Sequence, residues 1–445
     1  MLGVEPTFSS RVLIGGLLLS LLSSALVAIL PAMLLGRIGS GDALRADARG
    51  TTGARRPHRM RQALVVLELA VALVLLVGAG LMAHSMAMLQ QRDPGVDVED
   101  VLTMRLTLPR EKYQGAATPA FFTRLVERLQ ATPGVVGAAA MSQFPPNVFG
   151  LTRFSIPGAA HSGELPSADW TIVTPAAFEV LGIPLREARL LTPADRRDMV
   201  PVVVVNESFA RRYFPARSAV GQRIVGEDDH QTWEIVGVVA DTLGRGISSQ
   251  PEPELYMTVE QGPVDWNQHF LVVRTAGDPL AQLPAVRRVV AELDPLQPVY
   301  AIQTLDDAFA ASTLQHRATT IVLLVFAALA AALAAGGVYA VTAQSVAARR
   351  TEIGIRMALG AAGDTVSRMI VAQTLRLLVL GAVIGLAGGI AVGRLASSLL
   401  FGTSPTDPVV LAGVTATMIL LGAAAGWLPA RRASRIDPAV ALRDE

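Results

Sequence analysis

The chain has no cysteine, which excludes disulfides and thiolate chemistry and leaves any part outside the cytoplasm to be held by its own core. Lysine is almost as scarce: Lys112 is the only one, and every other member of the 38 Lys and Arg is arginine. A phosphate-binding loop needs a Gly-Lys-Ser/Thr element. Lys112 is followed by Tyr113, so no such loop is present, and any ATP that drives this protein must be bound by another polypeptide. The six histidines (His58, His84, His161, His230, His269, His316) are scattered. None forms His-Glu-x-x-His and there is no Gly-x-Ser-x-Gly, which removes the zinc peptidase and nucleophile-elbow readings. Asp228-Asp229-His230 lies between Gly226 and Gln231 and reads as a solvated hairpin tip. No catalytic residue, metal or cofactor is assigned, and nothing points to nucleic acid.

What is abundant is apolar surface. Hydrophobic residues make up 51% of the chain and charged ones 17%, and the mean hydropathy is +0.44, too apolar for an ordinary soluble enzyme. Five apolar runs are long enough to span a membrane: residues 12–35, 63–89, 318–348, 369–393 and 409–430. The first would reach roughly 36 Å as a helix, too long for the apolar part of a signal peptide. Seven arginines against two aspartates follow it between residues 37 and 61. That excess marks the cytoplasmic side, and the tail arginines Arg431, Arg432, Arg435 and Arg443 agree with one orientation.

The expected fold is an α-helical multi-pass membrane protein of five spans with a large α+β extracytoplasmic domain. Its parts are a leading transmembrane helix (1–36), an arginine-rich cytoplasmic loop (37–61), a second helix (62–91) and the extracytoplasmic domain (92–317). A third helix (318–348), a cytoplasmic loop (349–368), a fourth helix (369–400), a short outer loop (401–408), a fifth helix (409–430) and a cytoplasmic tail (431–445) complete it.

Within residues 92–317, Leu102, Met104, Leu106 and Leu108 alternate with Thr103, Arg105 and Thr107, the pattern of a half-buried strand. Thr118 and Pro119 open a helix carrying Phe122, Leu125, Val126 and Leu129 at helical spacing. Further strands are expected at 135–141, 170–173, 200–205, 233–239, 254–259 and 270–274, and helices at 280–293 and 305–316, the latter leading into the membrane. Asn206 is placed to cap the helix that begins at Glu207. Strands and helices mixed without a βαβ rhythm point to α+β.

Gly381, Gly385, Gly389 and Gly393 stand four apart in the fourth span, and Gly422 and Gly426 repeat the spacing in the fifth. Small residues in that register make a smooth ridge for close helix packing. Glu68 is the one carboxylate of the second span, and it reads as a structural polar group bonding across helices or reaching towards the arginine-rich interface. The end of the first span also repeats the end of the last. Pro31-Ala32, Arg37-Ile38 and Ala43-Leu44-Arg45 match Pro429-Ala430, Arg435-Ile436 and Ala441-Leu442-Arg443 at a constant offset of 398. The expectation is that the first span closes a preceding copy of the same unit and that this chain is the second half of a tandem protein.

Between the third and fourth spans stands Arg349-Arg350-Thr351-Glu352-Ile353-Gly354-Ile355-Arg356-Met357-Ala358-Leu359-Gly360-Ala361. Glu352 and Arg356 are four apart with the acid first, the favourable order on a helix, yet a helix this short is marginal alone and needs a partner surface. The stretch resembles the cytoplasmic loop of MacB/FtsX-type permeases, the mechanotransmission branch of ABC transporters. The span order, the Val204–Pro215 segment (V-V-N-E-S-F-A-R-R-Y-F-P) and the Pro429–Arg443 tail are similar too, and the tandem-duplicated orphan permeases of acidobacteria look closest. The resemblance implies a bacterial inner-membrane permease with a periplasmic core domain and a separate ABC-type ATPase as partner. In it Arg350, Glu352, Ile353, Arg356, Met357 and Gly360 would make the ATPase-coupling surface. A second permease unit or a homodimer, and membrane lipid, are the other implied partners. Export or extraction of a hydrophobic or peptide-like substrate is the leading function; the alternative is a non-transporting signalling or scaffold protein acting on an envelope partner.

Overall fold

The structure is a computed structural model that describes residues 55–158, 164–227, 231–262, 266–349, 355–356, 363–397 and 400–433. In chain order the elements are α1 (Arg55–Gln90), β1 (Val101–Thr107), α2 (Ala117–Gln130), β2 (Val135–Met141), β3 (Leu151–Ser155), β4 (Ser167–Val173), α3 (Ala177–Val180) and β5 (Leu185–Ala188). They continue with β6 (Val202–Asn206), α4 (Glu207–Tyr213), β7 (Arg223–Gly226), β8 (Thr232–Val239), β9 (Glu254–Thr258), β10 (Gln268–Thr275), α5 (Leu283–Leu293), β11 (Tyr300–Thr304) and α6 (Leu305–Ser312). The long helices α7 (Leu314–Ala348), α8 (Gly363–Leu395) and α9 (Pro408–Ala433) close the described chain. Two compact units result: one runs up to His84 and resumes at Val322, the other is Ser85–Ile321.

Among the described residues four helices are long and apolar enough to cross a membrane: Met60–Gln90, His316–Ala348, Ser367–Leu395 and Pro408–Arg432. Four therefore replaces the expected five. The run at 12–35, and the repeat that rests on it, lie outside the described residues, and the four helices make a shared core without it. Val65, Leu69, Leu73, Val77 and Leu81 of α1 form its spine, with Ala334 and Val338 of α7, Leu378 and Ala382 of α8, and Val410 and Met418 of α9 around them.

The unit Ser85–Ile321 is α+β and has two cores. One is a four-stranded antiparallel layer in the order β11-β1-β10-β2. Its rows run Leu102 to Val273 to Ala138, and Met104 to Leu271 to Ala140, so the alternation expected of β1 places its leucines and methionine on one face. Phe122, Leu125 and Leu129 of α2 and Val286 and Val290 of α5 cover that face. Burying a side chain of this size contributes about 1.5–3 kcal/mol. Helix α5 begins at Leu283 rather than at the expected 280; Pro279–Gln282 form a 3-10 turn capped by Asp278.

The second core is a closed barrel. Strands β4, β3, β7, β8, β6 and β9 follow one another, and β9 pairs back onto β4. Pairing is antiparallel except for β6 with β8 and β4 with β9. Trp170 and Ile172, Val203 and Val205, Trp233 and Ile235, and Leu255 and Met257 alternate inward, as strands with one buried face must. A single pair, Met141 with Val173, joins the antiparallel layer to this barrel.

The expected helix over 305–316 is two helices. Helix α6 ends at Ser312, where the hydroxyls of Ser312 and Thr313 donate to the carbonyls of Phe309 and Ala310. Such local bonds compete with continuation of the helix. β6 starts at Val202, two residues later than expected, because Pro201 has no N–H to donate.

Candidate functional site

The glycines expected to pack helices lie on two seams. A Cβ at Gly381 would sit 2.7 Å from Leu69 Cβ, one at Gly385 2.8 Å from Leu73 Cβ, one at Gly389 3.0 Å from Val77 Cβ, and one at Gly393 3.3 Å from Leu81 Cδ1. Both series advance by four, so α8 and α1 run parallel in contact along their lengths. Gly422 and Gly426 of α9 instead meet Leu378 and Thr374 of α8. Here one series rises as the other falls, and the two helices are antiparallel. Glu68 stands where α1 meets α7: a Cβ at Gly337 would lie 2.5 Å from its Oε2. Among the described residues Glu68 makes no hydrogen bond, so the expected bond across helices is not present there.

Of the six coupling residues, Arg350, Glu352, Ile353, Met357 and Gly360 lie outside the described residues, as does the Asp228–His230 tip. Arg356 is described: it is helical and exposed, with Nη1 3.5 Å from Met369 Sδ. The elements that hold the loop's two ends are tied to each other. Thr342 Oγ1 of α7 and Thr374 Oγ1 of α8 are 3.3 Å apart and buried, and each is also placed to donate to a carbonyl one turn back in its own helix, Val338 O and Ile370 O. Ser367 Oγ of α8 donates to Ala430 O of α9 at 3.4 Å, and Arg432 Nη1 of α9 donates to Tyr339 OH of α7 at 3.0 Å. Hydrogen bonds between helices are the fixed points of a bundle where water is scarce. Sequence reasoning missed Thr342, Thr374 and Tyr339; their only signal is a polar group inside an apolar run.

In the periplasmic unit the Val204–Pro215 stretch stitches helix to barrel. Asn206 Oδ1 accepts from Phe209 N at 2.9 Å and from Glu254 N at 3.0 Å, while Nδ2 donates to Glu252 O at 2.8 Å. The N-cap is thus also a cross-strand clamp. Ser208 N and Oγ donate to the Asp241 carboxylate at 2.7 and 2.9 Å, and Arg211 Nη2 reaches it at 2.5 Å. Phe209 stacks on Phe154 at 5.1 Å inside the barrel.

Beside this clamp Glu254 is wholly buried, and desolvation raises its pKa to about 7 against the bonds it accepts from Thr171 and Tyr256. The Arg245 guanidinium grips the neighbouring Asp169 at 2.7 Å. No group of metal-ligating side chains occurs among the described residues.

Four apolar helices, a loop held between two of them and an α+β domain with its own cores define a multi-pass membrane protein with a large extracytoplasmic domain. Residues 68–293 match the MacB-like periplasmic core domain, and residues 324–438 match the FtsX-like permease C-terminal domain. The chain belongs to the MacB/FtsX family of ABC permeases, and it is an inner-membrane protein with its large domain in the periplasm. Neither matched domain is an ATPase.

The chain is 30% identical over 280 residues to the macrolide export ATP-binding/permease protein MacB of Hahella chejuensis, covering 60% of this chain and 42% of that protein. It is 24% identical over 396 residues to the uncharacterized ABC transporter permease YknZ of Bacillus subtilis, covering 87% and 96%. Among solved structures it is similar to the periplasmic region of MacB from Actinobacillus actinomycetemcomitans, at 14% identity and a TM-score of 0.34, covering 50% of this chain and 95% of that one. The chain spans about two fifths of the length of the first MacB relatives it matches.

Proposed function

We propose that this chain is the permease subunit of a mechanotransmission complex. A separate ABC-type ATPase binds the cytoplasmic loop, and its cycle moves the periplasmic domain to export or extract a hydrophobic or peptide-like substrate. The observation that carries this reading is the set of ties among α7, α8 and α9 next to that loop. Thr342 with Thr374, Ser367 with Ala430, and Arg432 with Tyr339 join the helices on both sides of the loop, so force applied there is passed to helices rather than dissipated. In this reading Arg350, Glu352, Ile353, Arg356, Met357 and Gly360 form the ATPase-facing surface, the six packing glycines keep the helices in register, and Glu68 is a structural polar group. A second permease unit completes the complex, either a homodimer partner or the other half of a tandem permease of the orphan type.

The test is purification from native membranes in mild detergent, with identification of what accompanies the chain and an ATPase assay. Replacing Arg356 by Glu should release the ATPase and restore it when Glu352 is changed to Arg in the same chain. Association that is indifferent to both changes refutes the coupling role and favours an envelope scaffold.

A further inference from the structure

The barrel carries a hollow of about 610 Å³ that opens to solvent, inside the ~300–1,000 Å³ range of small-molecule sites. All six strands line it, through Phe154, Trp170, Val203, Ile224, Trp233 and Met257. Gln261 is fully engaged, accepting from Val202 N and donating to Arg196 O and Val200 O.

At the rim stands Arg197, exposed, with Nε donating to Glu260 O at 3.3 Å. Its guanidinium has no carboxylate partner among the described residues. Other arginines of this unit do: Arg153 faces Glu227, Arg196 faces Asp198, and Arg223 faces Glu234. A guanidinium fork is shaped for two oxygens of an anion, and this one lines the apolar hollow together with Leu151, itself 58% exposed.

We infer that the periplasmic barrel binds a single-chain amphiphile with an anionic head group, its apolar body along Leu151, Trp170 and Met257 and its head on Arg197. This deepens the export reading by naming a substrate class. Binding itself requires no ATPase, so its failure and the failure of coupling are separate results.

The full chain is reconstituted in lipid nanodiscs and photolabelled with a diazirine-bearing dodecanoate or, in parallel, the matching dodecanol, and the labelled peptides are mapped by mass. Dodecanoate should label peptides containing residues 151–154, 224–233 and 255–262, and excess unmodified dodecanoate should compete. Arg197→Gln, a change at an exposed side chain, should lower that labelling about tenfold, the loss of one charge-assisted hydrogen bond, and leave dodecanol labelling unchanged. Labelling confined to the membrane helices overturns the proposal. So does equal labelling by the acid and the alcohol, or dodecanoate labelling that survives Arg197→Gln.

Discussion

The parallel seam between α1 and α8 makes a quantitative prediction about Gly385. Its missing side chain would meet Leu73 Cβ at 2.8 Å, Ala70 O at 2.9 Å and Ala70 Cα at 3.1 Å. Two of these atoms are backbone and the third is a Cβ, so no rotamer change relieves them. The helices must separate by several tenths of an ångström, and that movement is shared by the contacts at Gly381 and Gly389 on either side. Overpacking of this kind costs about 1–3 kcal/mol. Against it, replacing glycine by alanine in a helix gains about 0.8–1 kcal/mol.

The control is Gly336 on α7, where a Cβ meets nothing within 4 Å and only the gain applies. Gly385→Ala should therefore be less stable than Gly336→Ala by about 1–3 kcal/mol, a difference of several degrees in Tm. Unfolding in detergent followed through Trp427, the tryptophan of α9, reads the membrane unit. Equal melting of the two variants would refute the close approach of α1 and α8. A loss of dimer with unchanged monomer stability would move the ridge to an interface between chains.

Three further outcomes follow from the periplasmic unit and the loop. His269 is buried, its pKa is lowered to about 3 by desolvation, and neither ring nitrogen has a hydrogen-bond partner among the described residues. The unfolded chain takes up its proton near pH 6.5 and the folded one only near 3, so stability is lost as pH falls through that window, by about 2 kcal/mol at pH 5. His269→Phe keeps the packing on Phe122 and should remove this slope in chemical denaturation at pH 5 and 7.5; an unchanged slope assigns it elsewhere. Asn206→Ala removes a cap and leaves Glu254 N and Glu252 O unpaired, so it should cost about 2–3 kcal/mol, read from the tryptophan fluorescence of the barrel. A cost under half a kcal/mol would show that the clamp is redundant. In the loop, the Arg356→Glu and Glu352→Arg pair should lose and regain the ATPase in pull-down, and failure of the double change to recover it argues against a direct ion pair.

Much of this protein is legible from local chemistry. Alternation in Leu102–Leu108 identifies β1 and its buried face, because a strand's side-chain period is two. Spacing identifies α2 and its core positions Phe122, Leu125 and Leu129, and the residue type of Asn206 identifies the cap of α4. Strands β3, β5, β7 and β11 escaped. They are four or five residues long, and β3, β5 and β7 carry Arg153, Arg186 and Arg223. They exist as strands because neighbours supply their hydrogen bonds, as β4 and β7 do for β3.

By itself the sequence determined the apolar helices, their orientation by arginine, the soluble insert between them and the family, all of which depend on composition and local order. It also showed that six glycines form ridges. Tertiary structure alone decided what those ridges touch, that α8 packs on both α1 and α9, and that β9 returns to β4 to close a barrel. It also decided that Thr342 meets Thr374. Each of these joins residues far apart in the chain, and a contact between two surfaces is a property of the pair that neither local pattern contains.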